Sequence, residues 1–126
     1  MNAQALAHRA YAQSAAPTRT PRSAEYEVIA RVTHRLKATA QEAGKRLSPA
    51  LAEALHDNRR MWTTLAADVA GDGNGLPAEL RARLFYLAEY TRLHTSKVLA
   101  GQASVASLLE INTAILRGLR ETAGVR

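Results

Sequence analysis

Leu51, Leu55, Asn58, Trp62, Leu65 and Val69 recur at steps of three and four and draw one apolar stripe along a helix. Asn58 interrupts that stripe with an amide beside the only tryptophan. A buried amide without partners costs about 1–3 kcal/mol, so this placement specifies either a unique internal packing or a surface kept for a partner. Similar spacing predicts three further helices. The first is expected from about Pro21 to Arg46, opened by Thr20 as N-cap with proline at the first helical position. Its inward face is Tyr26, Ile29, Ala30, Thr33, Leu36, Ala40 and Ala43, thin in large side chains toward the end that Gly44 loosens.

Ser48-Pro49 repeats the start signal, so the tryptophan helix opens there, runs to about Ala70 and stops at Gly71. Gly71-Asp72-Gly73-Asn74-Gly75 is the densest turn signal in the chain. A third helix restarts at Pro77, carries Leu80, Leu84, Leu87, Ala88, Thr91, Val98 and Leu99, and ends at Gly101, with His94 and Thr95 filling the gap in its stripe. The last opens at Ser104 with Leu108, Leu109, Ile111, Asn112, Ile115, Leu116 and Leu119 and closes before Gly124. Its apolar arc is wide, as in a helix that is central in a bundle or shares a face with another molecule. No segment alternates with period two, so the fold class is all-α, a small antiparallel bundle of about four helices.

At 126 residues the chain suits one domain, residues 20–124, preceded by an arm over residues 1–19. The arm reads in three ways: a frayed flexible terminus, an Arg-rich and acid-free segment like a transit peptide, or a short amphipathic turn through Leu6, Ala7, Ala10, Tyr11 and Ser14 that docks on a partner. Cysteine is absent, which excludes disulfides, thiol nucleophiles and cysteine-based zinc sites and fits the cytoplasm. No apolar run is long enough to span a bilayer. The net charge is +6, and Arg9, Arg19 and Arg22 carry half of it within the first 24 residues. Beyond them, bases and acids are interspersed, with no basic stripe of the kind nucleic-acid binders carry.

Candidate chemistry is sparse. His8, His34, His56 and His94 lie in different segments, and Glu53-x-x-His56 occurs once where a di-iron bundle needs it twice. Glu53 and Asp57 stand at spacings that suit ordinary ion pairs with Arg59 or Arg60. The glycine-rich turn lacks a Walker lysine and the spacing of an EF-hand. These features point away from an enzyme and call for no cofactor or metal.

Asn58-Arg59-Arg60-Met61-Trp62-Thr63, then Leu76-Pro77 with Leu80-Arg81-Ala82, then His94-Thr95, and finally Ile111-Asn112 with Gly118-Leu119 resemble, in order and spacing, the flagellar biosynthesis protein FlaF family. Ala10-Tyr11 and the helix start from Pro21 to Glu25 resemble that family's opening, and the likeness runs from about Tyr11 to Leu119. The resemblance implies a cytoplasmic all-α factor for flagellum biogenesis in alphaproteobacteria. Such a factor binds flagellin as a chaperone-like regulator of its synthesis and secretion, beside the regulator FlbT, with no catalytic activity and no cofactor. The alternative is a post-transcriptional regulator of flagellin mRNA that acts with FlbT without holding flagellin. A helical bundle can cover a partner helix in a groove. Tyr11, Asn58, Arg59, Arg60, Trp62, His94, Asn112 and Ile115 are the expected partner-binding residues, with Arg59 and Arg60 at the rim. For Asn58, Trp62, Asn112 and Ile115, a place in the core is the competing expectation.

Overall fold

The computed structural model describes residues 21–44, 46–71 and 75–122 of the chain. Four helices fill them: α1 (Pro21–Ala43), α2 (Pro49–Ala70), α3 (Ala78–Leu99) and α4 (Ala106–Thr122). The expected arm, the Thr20 cap and the centre of the glycine-rich turn lie outside the described residues. No strand occurs among the described residues, and the all-α expectation holds.

The helix ends follow capping chemistry. Ser48 takes an extended backbone conformation, and its hydroxyl accepts from the Leu51 N–H at 3.0 Å, with Pro49 opening α2. Gly44 does more than loosen α1: its N–H donates to the Ala40 carbonyl at 3.1 Å, and its left-handed φ of 67° turns the chain out of the helix there. At the end of α3, Gly101 adopts φ 75° and donates to Val98 at 3.0 Å, while Gln102 donates to Lys97 at 2.8 Å. That pair of bonds satisfies the carbonyls a helix terminus leaves over. Ser104 then accepts from the Ala106 N–H at 3.0 Å and starts α4. By contrast α3 begins at Pro77 with no side-chain cap, and Gly71 closes α2 in an extended conformation with a 3.3 Å bond to Asp68.

The helices pack in the order α4–α1–α2–α3 with three close seams, and the fourth seam, α3 against α4, is the loosest. Around one end, Leu36, Leu51, Ala54, Leu55, Val98 and Leu108 form a buried cluster drawn from all four helices. Toward the other end Ala24, Ile29, Met61, Trp62 and Val69 are buried, and the side chains packed around Ile29, Met61 and Trp62 are half-buried: Val32 on α1, Leu65 on α2, Leu84, Leu87 and Ala88 on α3, Ile111, Ile115, Leu116 and Leu119 on α4. The wide apolar arc of α4 therefore belongs to neither a central helix nor a bare one. Only Leu108 and Asn112 of it are buried.

Candidate functional site

The middle of the bundle is polar. The Trp62 indole N–H donates to Asn112 Oδ1 at 2.9 Å, and Asn112 Nδ2 donates to Asn58 Oδ1 at 2.7 Å and to Thr33 Oγ1 at 3.1 Å. The Thr33 hydroxyl donates in turn to the Ile29 carbonyl at 2.7 Å. Three helices are thereby tied through one amide on α4. Asn58, Trp62 and Asn112 are 0–1% exposed, so the free protein keeps all three from solvent. Their structural role is register: any axial slip of α4 against α1 or α2 would strand several donors and acceptors in an apolar interior at once. Thr33 had been legible only as an inward-facing position. Asn58 Nδ2 and Thr91 Oγ1 are buried without a hydrogen-bond partner, which makes α2 against α3 the less completely satisfied side of the network.

His94 is a tie as well. Its Nε2–H donates to the Ser104 carbonyl at 2.8 Å, its ring stacks on Tyr90 at 5.2 Å between centroids, and the Tyr90 hydroxyl donates to Ser107 at 3.0 Å. These contacts join α3 to the start of α4 near the turn that connects them. Toward the far ends of α3 and α4 no such polar tie joins the two helices among the described residues. Ile115 lies there, half-buried against the Ile29–Met61–Trp62 cluster. Tyr11 lies outside the described residues.

Arg59 and Arg60 do not pair with Glu53 and Asp57 as their spacing suggests. Both carboxylates turn to Arg35 of α1, at 3.2 and 2.7 Å, because the close α1–α2 seam brings its guanidinium within reach of two successive turns. The Arg59 guanidinium instead donates to His56 Nδ1 at 2.8 Å, which leaves the imidazole hydrogen on Nε2. His56, Arg59, Arg60 and Thr63 of α2 line a shallow groove with Arg92 and Ser96 of α3. Glu89 is the carboxylate paired there: its bidentate bond to Arg92 holds its pKa below the ordinary carboxylate value and raises that of Arg92. Glu53-x-x-His56 is thus split between two unrelated pairings, and the described residues contain no group of three or more potential metal ligands.

The surface feature that spacing missed is on α3. Leu47, Leu80, Phe85, Tyr86 and Leu93 are the large hydrophobic side chains exposed among the described residues, and four of these five belong to that helix. Tyr86 is 68% exposed and Leu93, two turns on along the same stripe, is 50% exposed. The signal was present: α3 carries large apolar residues all round, whereas a helix with one buried face needs them on one side.

This fold and its internal network define a small all-α bundle held in register by a buried tryptophan–asparagine tie, with one helix apolar on both faces. The family model for flagellar protein FlaF matches residues 7–119, and the chain belongs to that family. No curated protein and no solved structure matches the chain. None of the described helices is long and apolar enough to cross a membrane.

Proposed function

We propose that this flagellar protein binds flagellin in the cytoplasm and acts as a chaperone-like regulator of its synthesis and secretion, without catalysing a reaction. The observation that carries the reading is the concentration of uncovered apolar surface on α3 and along the loose α3–α4 seam. Isolated exposed leucines need no explanation, but a tyrosine, a phenylalanine and two leucines gathered on one helix mark a surface for another protein. An amphipathic helix of a filament subunit would suit such a surface through anchors at i, i+3, i+4 and i+7. Arg59, Arg60 and Arg92, on the neighbouring α2–α3 groove, supply a positive rim that would steer an acidic partner.

The second reading, regulation of flagellin mRNA alongside FlbT, draws on the same three arginines, which could equally meet phosphates. Salt separates the two. Phosphate contacts weaken steeply as ions are added, whereas apolar burial barely responds. The deciding experiment is titration of purified monomeric flagellin into the protein by calorimetry at two salt concentrations, with Tyr86→Glu/Leu93→Glu as the variant. Nearly salt-independent binding by the wild type and loss of about tenfold or more in the variant, at unchanged helicity, is the expected result. Equal affinities, or no binding by the wild type, would refute it. Trp62→Ala would report packing rather than contact, because Trp62 is 1% exposed and its loss would empty the centre of the bundle.

A further inference from the structure

We propose that the groove between α2 and α3 receives an acidic helical segment of a protein partner, and that Glu89 holds Arg92 in the free protein where a carboxylate of that segment holds it in the complex. The groove's preference stands on this chain alone; only the identity of the partner rests on the flagellin-binding reading above.

The way the helices pack leaves the cations of this groove over. Glu53 and Asp57, the acids of α2 that precede Arg59 and Arg60, are both drawn to Arg35 on α1, and neither arginine has a carboxylate partner among the described residues. Arg92, across the groove, completes a set of three guanidinium groups that a single carboxylate, Glu89, answers. The remaining lining groups add donors. His56 accepts from Arg59 at Nδ1 and keeps its hydrogen on Nε2, while the Ser96 hydroxyl holds the Arg92 carbonyl only loosely, at 3.5 Å. A wall so rich in donors is matched by an acceptor-only group, and a carboxylate that takes two guanidinium hydrogens is the one proteins carry.

Glu89 shows the bond that such a ligand would make. Its two oxygens accept from Arg92 at 3.2 and 2.6 Å, and both side chains are 58% exposed, so another carboxylate reaches the pair without any helix moving. An exposed pair of this kind is weakly held and gives way to a better-placed acceptor.

What lies beyond the arginines selects a peptide. α2 and α3 run antiparallel: Leu55 shares one buried cluster with Val98, and Trp62 shares the other with Leu84 and Leu87. Phe85, Glu89, Arg92 and Ser96 form one stripe of α3, and it runs beside the stripe His56, Arg60, Thr63 and Ala67 of α2. Toward the connection between the two helices these stripes present the exposed Ala67 and the 43% exposed ring of Phe85. Phe85 stands two helical turns, about 10 Å, from Arg92. A helix laid along the groove therefore meets cations with one turn and an aromatic ring with a turn about 10 Å further on, the spacing of i and i+7 anchors. Binders of single-stranded nucleic acid stack successive bases on rings set along a basic track, whereas here the ring stands past the end of the cations with a methyl group beside it, which suits an aliphatic side chain.

Fluorescence anisotropy with the full chain tests this through three labelled probes. One is an alanine-based helical peptide with two glutamates a turn apart and a leucine two turns further along the same face; the others are the same peptide with glutamines and a single-stranded RNA of similar length. The glutamate peptide should bind, and the glutamine peptide should bind about tenfold or more weakly. Arg60→Glu should weaken the glutamate peptide about tenfold or more, and Phe85→Glu should weaken it too, at unchanged helicity. Glu89→Gln should strengthen it about two- to fivefold, because the peptide no longer displaces an internal carboxylate, and a gain does not arise from a misfolded chain. No binding of the glutamate peptide, equal binding of the two peptides, tighter binding of the RNA, or an affinity that Glu89→Gln leaves unchanged would overturn the proposal. Monomeric flagellin is then titrated into the wild type, Arg60→Glu and Glu89→Gln. A matching loss and gain would assign the segment to flagellin, and flagellin binding indifferent to both variants would overturn that assignment. A chain that shows the peptide responses and binds no flagellin would refute the proposed function and leave the acidic-segment groove established.

Discussion

The two ends of this bundle are made of the same four helices and differ in how completely they are finished. At the end that holds the Gly44–Ser48 and Gly101–Ser104 connections, left-handed glycines and serine hydroxyls close the termini, His94 staples α3 to α4, and six apolar residues are buried. At the other, α3 starts without a side-chain cap, and around the buried Ala24, Ile29, Met61, Trp62 and Val69 a larger set of aliphatic side chains from α2, α3 and α4 stays half-buried. A chain that can finish one end this thoroughly has the means to finish both. On the flagellin-binding reading proposed above, the less finished end offers apolar surface to a partner, and the central Thr33–Asn58–Trp62–Asn112 network holds α1, α2 and α4 in register beside it.

The largest contrast should appear in truncations of leucine. Leu55→Ala empties a fully buried site shared by several helices and should cost about 2–5 kcal/mol. Leu84→Ala removes a half-buried side chain from the loose seam and should cost about 1 kcal/mol. Urea unfolding followed by circular dichroism measures both. Equal costs would erase the distinction between the ends.

Much of the finished end could be read directly from residue spacing. Leu51, Leu55, Val98 and Leu108 lie on stripes with period near 3.6, and Ser48-Pro49 and Gly101 are signals whose meaning depends only on neighbouring residues. The Asn58–Trp62 pair announced a choice between core and surface, but its resolution needed Asn112 and Thr33, which lie 54 and 79 positions apart from their partners in the relevant bonds. Spacing along one helix cannot register such a bond. The ion pairs failed for the same reason: Arg35 outcompetes nearer arginines because packing, which sequence order does not encode, sets it beside Glu53 and Asp57. On α3, selecting the best 3–4 stripe assigned Leu80, Leu84, Leu87 and Thr91 inward, of which Leu80 is exposed, and left Phe85, Tyr86 and Leu93 without a role. Among the expected contact residues, Asn58, Trp62 and Asn112 turned out interior, His94 a tie between helices, and Arg59 and Arg60 neighbours on a groove.

A middle-sized effect tests whether the central network separates the ends. Asn112→Ala removes one amide and strands the Trp62 indole N–H, and each buried polar group so orphaned costs about 1–3 kcal/mol. Trp62→Phe removes the other end of that bond, yet Asn112 keeps Thr33 and Asn58 and should suffer less. A double-mutant cycle should return a coupling of about 0.5–3 kcal/mol. Because Trp62 is the sole tryptophan, its fluorescence reports the Asn112→Ala site directly: a shift to longer wavelength at unchanged helicity means that water has entered the centre. No coupling would demote the network to incidental contacts.

The smallest effect uses one chemistry at both ends. Gly101 and Gly75 have φ of 75° and 84°, and a methyl group added at either would meet open space, so Gly→Ala isolates the backbone cost of a left-handed conformation. That cost is about 1–2 kcal/mol for an L-residue. At Gly101 the conformation is fixed by bonds to Val98 and Lys97 on one side and by the start of α4 on the other, so Gly101→Ala should show the full penalty in the unfolding midpoint. Gly75 precedes a helix with no side-chain cap, where the chain can relax into another backbone conformation, and Gly75→Ala should cost distinctly less. If Gly75→Ala proved the more damaging, the start of α3 would be as tightly determined as its end, and the looseness assigned to that part of the bundle would have to lie in the α3–α4 seam alone.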